Sequence, residues 1–190
     1  STLNQYGFSR KEAVPMLKFP IPDLLLNSIY ELKPSRLTEM GVTLLLMDLD
    51  NTLAAYHTPS PSVSLRNWID NMKKAGIEPF IYSNSHGDKA EKFARTLRVD
   101  FVNRASKPKS KKLTELLRKK GVAPENAAII GDQIYTDVLC GTRAGIKTIA
   151  IKPIDMRNPL LFLRYGAEAP FRLAFKTRRK TAEKKDDKIG

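Results

Sequence analysis

The sequence predicts an α/β protein: three layers around a central parallel sheet of about five strands. Three observations carry that expectation. A continuous apolar run, Val42–Met47, reads as a strand buried on both faces. Comparable short runs recur at Ile77–Tyr82, Asp100–Val102, Ala127–Gly131 and Lys147–Ile151, with helical stretches between them. Most of these runs also stop in polar residues, which is where open parallel sheets meet their ligands.

The first run ends in Asp48-Leu49-Asp50-Asn51-Thr52. Extended chain repeats every two residues, so Asp48 and Asp50 begin on one side and Leu49 on the other. Two carboxylates at the end of a buried strand repel each other, and a hard cation such as Mg²⁺ relieves them. One of them is then available to attack an electrophile. Ala54–Pro61 is a loop, and its His57 receives no role. Ser64–Ala75 follows as an amphipathic helix with Leu65, Trp68, Ile69 and Met72 inward.

The second strand ends in Ser83-Asn84-Ser85-His86-Gly87, hydroxyl and amide groups suited to an anion; Ser83 and Asn84 are the expected phosphate contacts. His86 is expected to face solvent or cap a helix. The Asp88–Leu97 helix turns Ala90, Phe93, Ala94 and Leu97 inward. After the third strand, Lys107 precedes a proline and therefore sits in extended backbone, displayed from the sheet edge. A lysine delivered beside two carboxylates can neutralise developing charge. The fourth strand stops in Gly131-Asp132, with Asp137 returning one turn later.

Before this core, residues 1–41 read as an N-terminal extension broken by Pro15, Pro20, Pro22 and Pro34. Ser1–Val14 is expected to be weakly structured, and Asp23 to cap a short helix carrying Leu24–Leu32. The apolar clusters here either pack over the sheet or dip into a membrane surface beside Lys18, Lys33 and Arg36. Residues 152–190 read as a helical, basic segment, expected to lack structure beyond Lys180; from Arg172 to Lys188 cations outnumber acids by eight to three.

At 190 residues, 42% hydrophobic and 28% charged, the chain suits one globular domain, but a net charge of +13 calls for a polyanionic neighbour. Candidates are an anionic membrane, a nucleic acid or a multiply phosphorylated substrate. Its single cysteine, Cys140, excludes an internal disulfide, suits a reducing compartment and reads as a packed thiol. No apolar run approaches the roughly 20 residues of a membrane span, and no secretory segment is visible. The expectation is a cytoplasmic or organelle-matrix protein, soluble or peripheral to a membrane.

The four strand-end sites, Asp48/Asp50, Ser83/Asn84, Lys107 and Asp132/Asp137, resemble the ordered motifs of the haloacid-dehalogenase-like (HAD) phosphatases. Residues 42–151 fill every motif position: DxDxT, a strand-terminal Ser, Lys and GDxxxxD. Met47–Leu53, Ile130–Val138 and the lead-in Phe19-Pro20-Ile21-Pro22-Asp23 are similar to the class IIIA, YqeG-type branch. That branch is related to the phosphatidylglycerophosphate phosphatases of mitochondria and plastids.

The resemblance implies a Rossmann-like HAD fold and Mg²⁺-dependent phosphomonoester hydrolysis through an aspartyl-phosphate. It implies Asp48 as nucleophile, Asp50 as general acid/base and Lys107 as screen of the phosphoryl charge. Thr52, Ser83, Asn84 and Lys107 would meet the phosphate or hold its loop. Asp48, Asp50 (through its carbonyl), Asp132 and Asp137 would hold the metal. The short intervals between motifs leave room for no cap, or a minimal one, so the site should be open and the substrate large or embedded in a surface. Arg104, Lys107, Lys109, Lys111, Lys112, Arg118, Lys119 and Lys120 are expected near the site mouth, facing an anionic membrane surface. The expected substrate is phosphatidylglycerophosphate, in phosphatidylglycerol synthesis. Alternatives are a soluble, protein or nucleic-acid phosphate, or an RNA- or ribosome-associated role, against which stands the lack of an aromatic-rich RNA-binding motif.

Overall fold

The computed structural model describes residues 20–157 and 159–186. Six parallel strands form one sheet in the order β1-β6-β5-β2-β3-β4. They are β1 (Leu24–Leu26), β2 (Leu44–Met47), β3 (Glu78–Tyr82), β4 (Asp100–Val102), β5 (Ala127–Gly131) and β6 (Lys147–Ile151). Between and after them run α1 (Pro34–Glu39), α2 (Val63–Lys74), α3 (Lys89–Leu97), α4 (Lys111–Lys120), α5 (Leu139–Ala144), α6 (Pro159–Ala167) and α7 (Ala169–Asp186).

All four residues of β2 are fully buried at the centre of the sheet, as its unbroken apolar run requires. Their alternation divides the core. Leu45 and Met47 pack with Leu65, Ile69, Met72 and Phe93 on one face, while Leu44 and Leu46 pack with Phe80, Tyr82, Leu113, Leu117 and Cys140 on the other. Trp68 anchors the first layer and donates its indole N–H to the Leu32 carbonyl at 3.1 Å. Cys140 is buried, and burial pushes its thiol up to about 11, so it is packing material.

The chain runs outward from β2 through β3 to β4, then returns to the opposite side of β2 as β5. That reversal puts a crevice at the carboxyl ends of β2, β3 and β5.

Two expectations change. The segment after Asp23 is strand β1, paired in register with β6 (Leu24 opposite Ile149, Leu26 opposite Ile151), and the sheet gains a sixth strand. Asp23 caps no helix. Its carboxylate accepts the Thr148 N–H at 2.8 Å and hydroxyl at 3.0 Å, pinning the new edge to β6. The basic C-terminal run is helical past Lys180 to Asp186, in keeping with its Ala, Glu and Lys content. The expectations for Ser1–Val14 and for Met16–Phe19 fall outside the described residues.

Candidate active site

Each predicted motif arrives at the crevice on a different strand end. Asp48 follows β2 directly, and its N–H donates to the Ile130 carbonyl of β5. Asn51 then takes a left-handed backbone (φ 64°), a conformation asparagine tolerates, and turns the loop sharply. Its buried amide grips the Asp155 backbone, donating to the carbonyl at 2.8 Å and accepting the N–H at 3.0 Å.

Asp48, Asp132 and Asp137 form a buried trio, each offering a carboxylate oxygen within 4.8 Å of the others. Lys107 enters from the third motif and is sheltered rather than displayed, its side chain only 2% exposed. The ammonium donates to Asp48 Oδ1 at 2.5 Å and to Asp137 Oδ1 at 2.6 Å. Burial works against its charge, but the two carboxylates outweigh burial and hold its pKa above the ordinary range. One cation against three carboxylates leaves the buried cluster short of positive charge. The carboxyls register that deficit: burial, then Asp48 and Asp137, push Asp132 well up, while burial chiefly raises Asp137 to about 6 despite Lys107. A donor set of this kind fits a hard divalent cation such as Mg²⁺.

Gly131 makes the trio compact. A Cβ there would stand 2.2 Å from the Asp137 carboxylate, so only glycine lets that side chain fold back over the end of β5. Asp137 lies on a π-helical turn, Ile134–Val138, and also accepts the Gln133 N–H at 3.2 Å.

Three of the expected residues have side chains engaged by other protein groups. Thr52 is fully buried between Asp48 and Asp132, its hydroxyl 3.2 Å from one carboxylate and 3.4 Å from the other while accepting the Asp132 N–H at 3.1 Å. Its hydroxyl is engaged by the carboxylates and positions them. Asn84 lines the cavity, and its side-chain amide donates to the Lys107 carbonyl and accepts the Lys107 N–H. The Asp50 carboxylate stands outside the trio and pairs with Lys89 at 2.7 Å. The expected Asp50 contribution through its carbonyl is unaffected by that pairing.

The crevice is a cavity of about 260 Å³ lined by Asp48, Asp50, Ser83, Lys107, Asp137 and others. Ser83 is buried and accepts the Ser85 N–H at 3.1 Å. Sequence reasoning missed four participants. Lys89, the first residue of α3, also donates to the carbonyls of Ala55 at 3.0 Å and Tyr56 at 2.8 Å, fixing the Asp50 loop. Ser85 lines the cavity with a buried hydroxyl that has no partner among the described residues. Tyr56 and Arg164 complete the wall, the latter reaching in from α6. Burial, then the charges of Asp132, Asp50 and Asp48, raise the Tyr56 pKa, so its phenol stays protonated. His57 and His86 are exposed.

The C-terminal helices brace the crevice from behind. At their junction Glu168 is buried and accepts the N–H groups of Ile134 at 2.8 Å and Tyr135 at 3.3 Å. Arg172 donates to the Asp132 carbonyl at 2.9 Å and to Glu168 at 3.3 Å. The basic cluster expected at the mouth is divided: Lys120 pairs with Glu78 and Asp100, the first residues of β3 and β4, at the opposite end of the sheet. Helix α4 carries those cations away from the site because it runs antiparallel to the strands it connects. Among the described residues no helix is long and apolar enough to cross a membrane.

Comparison with known proteins gives four findings. A family model described as HAD-hydrolase-like matches residues 104–153. The chain is 32% identical over 163 residues to the "Probable phosphatase YqeG" of Bacillus subtilis (strain 168), covering 86% of this chain and 94% of the relative. It is 24% identical over 156 residues to the Arabidopsis thaliana "Phosphatidylglycerophosphate phosphatase 1, chloroplastic/mitochondrial", covering 77% of this chain and 45% of the longer plant protein. Among solved structures, a cobalt-bound deoxy-D-mannose-octulosonate 8-phosphate phosphatase from Haemophilus influenzae aligns with a TM-score of 0.48 at 20% identity, over 58% of this chain and 68% of its own.

Proposed function

This chain belongs to the HAD-like hydrolases, in the branch of the YqeG phosphatase, and we propose that it removes the terminal phosphate of phosphatidylglycerophosphate at a membrane surface. The observation that carries the chemistry is the buried Asp48–Asp132–Asp137 trio bridged by Lys107. Similarity to the plant phosphatidylglycerophosphate phosphatase, the net charge of +13 and a crevice open to solvent support the lipid.

Asp48 is the nucleophile: a carboxylate oxygen attacks phosphorus and the bond to the leaving oxygen breaks. Asp50 gives its proton to that oxygen, then takes one from the water that attacks the aspartyl-phosphate. Asp48 is thereby regenerated and inorganic phosphate leaves. Lys107 screens Asp48 from the incoming phosphate, and Ser83 and Ser85, which line the cavity, meet phosphoryl oxygens. Lys89 fixes the Asp50 loop before substrate arrives. Asp48, Asp132, Asp137 and the Asp50 carbonyl would hold Mg²⁺, which when bound supplies charge neutralisation on the phosphoryl oxygens.

The test is phosphate release from phosphatidylglycerophosphate, nucleotides, sugar phosphates and phosphopeptides, with and without Mg²⁺. The lipid should be the preferred substrate and chelation should abolish turnover. Preference for a soluble phosphate would overturn the lipid assignment, and turnover indifferent to chelator would overturn the metal.

A further inference from the structure

The cations lining the crevice differ in what already holds them. Lys107 is engaged by Asp48 and Asp137. Arg164, on α6, has no side-chain partner among the described residues and stands close enough to Tyr56 for its charge to lower that phenol's pKa. Partly buried at the wall of a phosphoryl-transfer site, it is an unsatisfied anion receptor. Guanidinium groups suit phosphate oxygens, which they meet through paired donors.

The neighbouring face of the same helix is apolar. A groove of about 750 Å³ is lined by Met156, Phe162, Tyr165, Pro170, Leu173 and Lys176, among others. Phe162, Tyr165, Ala169, Leu173 and Lys176 follow one another at three- and four-residue spacing across the α6–α7 junction, forming one stripe. Phe162 is 62% exposed and Leu173 65% exposed. Arg164 in the crevice and Tyr165 in the groove are consecutive residues, with Cα atoms about 3.8 Å apart. Helix α6 thus gives Arg164 to the crevice and its neighbours Phe162 and Tyr165 to the groove.

We infer that α6 reads the leaving group: Arg164 takes a second anionic group of the substrate, a phosphodiester, and the groove takes the acyl chains beyond it. The occupant is a diacyl phospholipid carrying a terminal phosphomonoester. The chemistry of such a molecule, dianion, monoanion and then hydrocarbon, matches the crevice, Arg164 and the groove that α6 joins. This inference rests on the lipid reading and adds which residues enforce it.

The experiment uses the full chain with Mg²⁺ and three substrates: phosphatidylglycerophosphate in detergent micelles, its deacylated water-soluble counterpart, and p-nitrophenyl phosphate, which has no phosphodiester. Arg164→Gln should lower the ratio of kcat/KM for the deacylated diester over p-nitrophenyl phosphate at least about tenfold, about 1.4 kcal/mol, chiefly through KM. Arg164→Lys should restore part of the ratio. The double variant Phe162→Ser, Leu173→Ser should lower the ratio of lipid over deacylated diester about tenfold while keeping the first ratio. An Arg164→Gln enzyme with an unchanged ratio overturns the assignment. So does an unchanged lipid ratio in the double variant, the result expected if the groove instead seats a second copy of the chain, which sedimentation of the same variant would reveal. If the wild-type enzyme hydrolyses p-nitrophenyl phosphate but neither diester, the lipid reading itself has failed. If it hydrolyses the lipid and Arg164→Gln changes nothing, only the α6 inference has.

Discussion

Asn84 holds Lys107 by its backbone, donating its amide to the lysine carbonyl at 2.9 Å and accepting the lysine N–H at 2.8 Å. The second motif therefore serves the third. A strand-terminal amide on β3 sets where the ammonium from the next crossover reaches Asp48. Asn84→Ala would leave both backbone groups unpaired, at a cost of about 2 kcal/mol in stability. Turnover should fall further than that loss of folded protein explains, about 10- to 100-fold in kcat, because Lys107 loses its register. Urea denaturation and steady-state kinetics on the same preparation separate the two effects.

Asp48→Asn should abolish turnover and leave the fold intact. The substitution keeps the shape, removes the attacking charge and relieves one repulsion within the trio. Circular dichroism should match the wild-type protein, and no phosphoryl-enzyme should accumulate in a rapid quench. Metal-dependent hydrolysis surviving in this variant would refute the nucleophile.

The raised carboxyls give cation binding a pH dependence of definite sign. Asp137 moves from its ordinary 3.8 to about 6, so the folded chain holds a proton that the unfolded chain has released. Without metal, stability from this group is fully present below about 4 and is lost as pH rises through about 6. A cation must displace that proton, so its stabilising effect runs the other way. The rise in Tm caused by Mg²⁺ should be small at pH 5 and grow toward pH 7. A pH-independent rise would show that Asp132 and Asp137 do not bind the ion.

Gly131→Ala places a methyl group 2.2 Å from the Asp137 carboxylate. Overpacking of this kind costs about 1–3 kcal/mol. The side chain that must move is a member of the acidic trio, so the Mg²⁺ concentration for half-maximal activity should rise at least about tenfold, read by metal titration, while the fold survives. An unchanged metal requirement would mean that Asp137 does not contribute to the cation site.

The strand ends were legible because their signal is local: an apolar run followed at once by Asp48, Ser83 or Asp132 announces both the buried strand and the group it delivers. What escaped was reciprocal. Lys89 looks like any surface lysine at a helix start until Asp50, thirty-nine residues earlier, is found beside it. Asn84 and Thr52 were recognised as important residue types, but a sequence does not say whether an amide or hydroxyl points at ligand or at a neighbouring loop. Strand β1 has three residues, too few to display a period, and its pairing with β6 depends on Asp23 reaching Thr148, 125 positions away. Arg164 lies outside the recognised motifs altogether.

Glu168 and Arg172 carry a consequence for anyone who would shorten this protein. The motif-bearing portion ends at Ile151, and a truncation there looks harmless on paper. It would strip the two struts that tether the Asp132–Tyr135 loop from the rear, exposing main-chain N–H groups now capped by a carboxylate and a carbonyl now capped by a guanidinium. The smallest working unit therefore extends through the first turn of the last helix, and the tail-end helices are scaffolding for the catalytic loop.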